Sequence, residues 1–201
     1  MGQPRKRKNA ADRRAEIVDT AIRLAAEIGP DRVTTQHLAD AVGVTQPAIF
    51  RHFDTKADIW LAVADYISNG IRDLHDRVAE NEEGNPHDLL HQIVRDHFAH
   101  IETHPALPGI IHSRELHGDI EGFREQFEQL VTHGRNRLQH LFHRAQEAGI
   151  HSRTVAAEDA AHMLAALMEG VTLRWSLSNR AFDLAEEGER LAFGLIDALR
   201  R

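Results

Sequence analysis

Apolar residues in this chain recur three and four positions apart in nearly every segment, and nowhere do β-branched and aromatic residues alternate at period two for long enough to make a strand. That spacing predicts an all-α fold of about nine helices. With 201 residues, 42% of them hydrophobic, the chain can bury a real core, which excludes a disordered tail protein. A first helix is expected over residues 11–28, stopped by Gly29-Pro30. Short helices should follow from Thr34 to about Val42 and from Thr45 onward. Thr55 opens a long helix whose buried side includes Ile59, Ala62, Val63, Tyr66, Ile67, Ile71, Leu74 and Val78. Further helices are expected at 86–104, 109–117, 120–148 (with Val131 among its apolar residues), 156–178 and 182–200, with no internal repeat.

The most informative stretch is Thr34-Thr35-Gln36-His37-Leu38-Ala39-Asp40-Ala41-Val42-Gly43-Val44-Thr45-Gln46-Pro47-Ala48-Ile49-Phe50-Arg51-His52-Phe53. Two short helices flank a glycine turn, each with a threonine cap, and Pro47 sits in the second helix's first turn, where its missing N–H costs nothing. Leu38, Val42, Val44, Ile49 and Phe53 point inward, and Ala39 is small enough for close helix packing. Outward on the second helix remain Thr45, Gln46, Pro47, Ala48, Phe50, Arg51 and His52. Such a face can read base edges: glutamine bonds adenine, arginine bonds guanine or phosphate, and an apolar side chain touches the thymine methyl.

Charge supports a nucleic-acid partner only at one end. Residues 1–56 hold ten Lys/Arg against seven Asp/Glu, a net of +3, whereas residues 57–201 hold fourteen against twenty-four, a net of −10; together they give the overall −7. A basic head collects phosphates while an acidic body stays away from them. The chain therefore divides into a disordered basic arm (1–10), a helix-turn-helix head (11–56) and an acidic helical body (57–201), for which the resemblance below implies an effector-binding and dimerisation domain.

The run TTQHLADAVGVTQPAIFRHFDTKADI resembles the DNA-binding domain of the tetracycline-repressor (TetR/AcrR) family, over about 45 residues from the first helix to Ile59. The resemblance implies a dimeric, ligand-responsive transcriptional regulator, most simply a repressor released from a palindromic DNA operator by a small-molecule effector. Carried over by position, Thr35 and Gln36 approach backbone and bases, Gln46 and Pro47 meet bases, and Ala48 meets a flanking position. Phe50, Arg51 and His52 lie against bases or phosphates, and Lys56 holds a phosphate at a helix N-terminus. The family usually has tyrosine where this chain has Phe50, so a hydroxyl-to-phosphate bond is lost and Lys56 gains importance.

For the body, the last two helices of the resembling family pair with their counterparts in a second chain. Leu164, Met168, Val171, Phe193, Ile196 and Leu199 are accordingly the candidate dimer contacts. His97, Phe98, Ile101, Ile110, Ile111, Arg114, Phe123, Phe127, Met163, Leu167 and Trp175 are candidate lining for an effector site. The fifteen histidines are unusual, and the pairs His87/His91, His97/His100, His100/His104 and His140/His143 share helix faces as metal ligands would. His100, His104 and His112 are the candidate metal ligands in an alternative reading, a metal-responsive regulator or, further off, a helical metalloenzyme.

Other classes find no support. The chain has no cysteine, which excludes disulfide scaffolds, thiolate metal sites and thiol nucleophiles. It contains no Gly-x-Ser-x-Gly elbow, His-Glu-x-x-His, Walker loop or dinucleotide glycine fingerprint, so neither an enzyme nor a cofactor is expected. The apolar stretch 156–175 carries Glu158, Asp159, His162, Glu169 and Arg174, too many charges for a lipid-facing span, and no secretory h-region follows the basic start. A cytoplasmic protein is the expectation.

Overall fold

The computed structural model describes residues 9–201, so the expected basic arm lies, but for its last two residues, outside the described part. Among the described residues it is all-helical: α1 (Ala10–Ile28), a 3-10 turn (Pro30–Arg32), α2 (Thr35–Val42), α3 (Gln46–Ile49), α4 (Lys56–Ala79), α5 (Pro86–Thr103), α6 (Leu107–Ile111), α7 (Arg114–Asp119), α8 (Phe123–Glu147), α9 (Ala157–Leu177) and α10 (Leu184–Ala198). No described helix is long and apolar enough to cross a membrane. The chain forms two compact units, one of residues up to Tyr66 with Gly109–Arg124, the other of Ile67–Pro108 with Glu125–Arg201.

The first unit is built around α1, whose Ile17, Val18, Ala21, Leu24 and Ala25 are buried in the 3-and-4 pattern expected. Leu38, Val42, Ile49, Phe53, Ile59 and Trp60 complete its core, all with less than a tenth of their surface exposed. Val44 is only half-buried. The residues 109–117, expected as one short helix, divide between α6 and α7, because Ser113 takes an extended conformation and caps α7 by accepting the Leu116 N–H at 3.1 Å. The same hydroxyl donates to Asp31 Oδ1 at 2.6 Å, which fixes this pair of short helices to the turn after α1.

The second unit rests on a seam between α5 and α10. Asn85 starts α5 by accepting the His87 N–H at 3.0 Å, with Pro86 in the first turn. Leu90, Ile93, Val94 and Phe98 of α5 and Leu184, Ala192 and Ile196 of α10 are fully or almost fully buried. Gly188 makes the close approach possible: a Cβ there would stand 2.6 Å from the Phe98 ring. Ser152 N–H donates to the Leu199 carbonyl at 2.8 Å, tying the loop after α8 to the end of α10.

Tyr66, expected on the buried side of α4, is exposed (53%), and so is the apolar Val131 of α8 (44%). Each lies at the edge of its helix's apolar stripe, so spacing alone could not assign it. The candidate dimer contacts differ in exposure. Leu164, Met168, Val171 and Ile196 are buried in their own chain, and only Phe193 and Leu199 keep partial exposure. The opposite side of α9 is the free one: Met163, Ala166, Gly170, Leu173 and Leu177 follow one another at spacings of three and four and are all exposed.

Candidate nucleic-acid interface

The candidate interface is set by the capped starts of α2 and α4, whereas Thr45, expected to cap α3, makes no side-chain cap bond. Thr34 accepts the His37 N–H at 3.1 Å, and the His37 ring accepts the Thr34 N–H in return, so α2 begins on a reciprocal cap. Gly43 ends α2 in the left-handed region (φ 75°), its N–H donating to Ala39 and Asp40 and the next N–H, of Val44, to Ala39. A side chain at that φ is strained, which is why glycine stands at this turn. The turn sends the chain back so that Gln46 at the start of α3 donates to Thr35 Oγ1 at 2.5 Å, drawing the first turns of α2 and α3 together.

The outward residues lie as expected. Gln36, Thr45, Pro47, Phe50 and Arg51 are exposed, while Thr35, Gln46, Ala48, His52 and Lys56 are half-exposed. Gln36 is held by Asp40 at 2.7 Å. Lys56 occupies the first position of α4, a helix of 24 residues. Its start is set by Thr55 and Asp58: the Thr55 N–H and hydroxyl donate to Asp58 Oδ2 at 2.8 and 2.9 Å, and the Asp58 N–H donates to Thr55 Oγ1 at 3.1 Å. The positive end of the α4 dipole adds to the Lys56 charge.

Sequence reasoning passed over two residues that hold this face. Arg14 donates to the His52 carbonyl and lays its guanidinium 3.9 Å from the centre of the Phe53 ring, so α1 clamps the turn that follows α3. Asp58 closes the cap just described. The T-x-x-D spacing of Thr55 and Asp58 signals such a cap, whereas Arg14 carries no local signal because its partner is 38 residues away.

The candidate effector residues fall in both units. Ile110 and Phe123 are buried in the first, where Ile111 is half-buried and Arg114 exposed. In the second, Phe98, Ile101, Phe127 and Trp175 are buried, His97 and Leu167 are half-buried, and Met163, 46% exposed, faces outward on α9. Trp175 is committed structurally, its indole N–H donating to the Phe182 carbonyl at 3.0 Å. The polar interior of this unit centres on a residue not singled out beforehand, His75. It is buried, its two ring nitrogens lack hydrogen-bond partners, and its ring centre lies 5.7 Å from that of His97. Burial pushes both imidazoles down, His75 to about 4 and His97 to about 3, so both are neutral at pH 7. Ser68 and Thr172 are also buried with hydroxyls that make no hydrogen bond.

The candidate metal ligands fall in different units. His100 and His104 are neighbours on α5, with ring centres 4.4 Å apart, but the His104 Nδ1 is bonded to the His100 carbonyl at 2.8 Å, and His112 belongs to the first unit. Among the described residues the group with metal-ligand spacing is instead His87, His91 and Asp197.

Two family descriptions match the chain. The description Bacterial regulatory proteins, tetR family, matches residues 17–63, and BetI-type transcriptional repressor, C-terminal, matches residues 119–201. The chain is similar to the HTH-type transcriptional regulator TtgR of Pseudomonas putida, 27% identical over 98% of this chain and 95% of that one. It is also similar to the HTH-type transcriptional repressor BepR of Brucella suis biovar 1 (strain 1330), at 26% identity over 98% and 96% of the two chains. Its fold matches the crystal structure of a TetR transcription regulator from Haloarcula marismortui ATCC 43049 with a TM-score of 0.82 at 23% identity, covering 95% of this chain and 100% of that one.

Proposed function

The chain belongs to the TetR family of bacterial regulatory proteins, and we propose that it works as a homodimeric repressor that grips a palindromic DNA operator and is released by a small effector. The observation that carries the DNA part is the bond between Gln46 and Thr35, which joins the first turns of α2 and α3 into one surface. Gln46 and Pro47 read bases, Thr45, Ala48, Phe50, Arg51 and His52 flank them, and Thr35, Gln36 and Lys56 orient the head on the backbone. Lys56 contributes affinity without sequence preference, and Gln46 contributes preference.

One short recognition helix covers too little groove to bind tightly alone, and a two-fold dimer supplies the second. The exposed stripe of Met163, Ala166, Gly170, Leu173 and Leu177 on α9 is suited to pack against its own copy, since its small residues permit close approach.

The effector acts through α4, which begins at Lys56 and also carries Ser68 and His75. A small molecule that offers hydrogen bonds to His75 would satisfy groups that now have no partner, and its binding energy would favour an α4 position in which the heads no longer match two successive grooves. A coupling of about 1–3 kcal/mol changes occupancy roughly five- to 150-fold. Fluorescence anisotropy with a duplex series tests the reading. Lys56→Ala should weaken all duplexes alike and lower the salt slope by about one, while Gln46→Ala should relax preference at one or two bases. Unchanged binding by both variants overturns the assigned face.

A further inference from the structure

We infer that His87, His91 and Asp197 form a binding site for a single first-row transition-metal ion, zinc by preference, that staples the start of α5 to the end of α10. His87 and His91 lie one turn apart on α5 and present their imidazoles to the same side, with ring centres 4.6 Å apart. Across the seam, α10 answers with a second pair one turn apart: Phe193 stacks on the His91 ring at 4.2 Å and 12°, and Asp197 faces both histidines. The Nε2 atoms of His87 and His91 stand 3.3 and 3.4 Å from the same carboxylate oxygen of Asp197.

Those separations fit a tetrahedral ion. Ligands held at about 2.0–2.1 Å in tetrahedral geometry are roughly 3.3–3.4 Å from one another. All three ligand atoms lie within 4.8 Å of one another, so only the edge between the two histidines can exceed the tetrahedral spacing. His91 Nε2 is buried and makes no hydrogen bond, so it has a lone pair to give. Asp197, with 54% of its side chain exposed, opens the fourth position to water.

The surroundings complete the pattern expected around a metal-bound histidine. With an ion on Nε2, His87 carries its proton on Nδ1, which donates to His151 Nε2 at 2.9 Å. His151 is itself buried at 2% exposure, in the loop after α8 that pairs with Arg200. Arg95 and Asp88 are within electrostatic reach of His91, and Arg200 of His151, so the charges around Asp197 offset one another and the site does not hold ions by bulk negative charge. That disfavours calcium and magnesium, which need several hard oxygen ligands, and favours an ion bound through imidazole.

The test uses the full chain, free of any tag, stripped with chelator and titrated with Zn²⁺ or Co²⁺, with Ca²⁺ as a control. One equivalent of Co²⁺ per chain should bind with the visible absorption of a tetrahedral ion, and zinc should displace it. Asp197→Asn, which changes an exposed side chain and leaves the fold intact, and His91→Gln should each weaken binding by more than tenfold. His151→Phe should cost about 10–100-fold, as loss of an outer-shell partner does. His143→Gln, on an exposed face, should change nothing. Absence of saturable binding, or binding that survives Asp197→Asn and His91→Gln unchanged, overturns the site, as does equal loss on His143→Gln. None of these readouts depends on DNA, so the DNA-binding assignment stands or falls separately.

Discussion

Gly188→Ala tests whether the α5–α10 seam is as tight as it looks. The added Cβ would sit 2.6–2.7 Å from three carbons of the Phe98 ring, where ordinary van der Waals contact is 3.4–4 Å. Phe98 is completely buried, so the ring cannot swing into solvent and must push its neighbours or the two helices apart. Overpacking of this kind costs about 1–3 kcal/mol. Against it stands the gain of alanine over glycine inside a helix, about 0.8–1.0 kcal/mol. The net expectation is a destabilisation of up to about 2 kcal/mol, seen as a fall of roughly 2–4 °C in Tm for each kcal/mol in a chain of this size. The decisive assay is a double-mutant cycle by urea denaturation. In a Phe98→Leu background the clash is relieved and Gly188→Ala should become neutral or stabilising, giving a coupling of about 1–3 kcal/mol. A Gly188→Ala effect that is the same in both backgrounds would show that Phe98 does not set the helix separation.

Other consequences can be measured independently. Burial pushes His75 and His97 below the ordinary 6.5, to about 4 and about 3, with His133 and His100 adding repulsion at His75 against attraction from Asp76, and His75 and His100 adding repulsion at His97. Both rings are neutral when folded and take up a proton when unfolded. The stability they provide is therefore complete above pH 6.5 and is lost as pH falls from there towards 4, at up to about 1.4 kcal/mol per pH unit for each. His75→Gln should flatten that dependence in denaturation curves taken across the range, and an unaltered slope would refute the assignment. Arg14→Met should lower affinity for every duplex although Arg14 is not assigned to DNA, because the turn that follows α3 loses its clamp; binding identical to that of the parent chain would count against the clamp. Leu173→Glu should turn a dimer into a monomer in sedimentation and weaken operator binding with it, and a dimer that persists would move the interface off α9. Gly43→Ala should destabilise the head by about 1 kcal/mol through strain at positive φ, read from thermal melting.

The head was more legible than the body for a physical reason. The capping Thr34, the glycine turn and the inward residues of α2 and α3 are local signals, and a run of twenty residues contains all of them. Arg14 escaped notice because its partners, His52 and Phe53, are distant in sequence. In the body, periodicity located α4, α5, α8, α9 and α10 closely but could not say which of two apolar sides of α9 faces inward. Leu164 and Met168 took the core, and Met163 and Leu173 took the surface. His75 was legible in principle, since it falls four after Ile71 and three before Val78 on the buried side of α4. The histidine pairs were visible as well, but choosing His87 and His91 over His100 and His104 required Asp197, which only folding brings across from α10.

Selection of bound sequences from a pool of random duplexes, followed by titration of the winner at several salt concentrations, addresses the central claim most directly. The account predicts an inverted repeat whose half-sites are one helical turn apart, bound by two chains, with affinity that falls steeply as salt rises and falls further on Lys56→Ala. Recovery of no common sequence, or of a single half-site bound by one chain with little salt dependence, would contradict it.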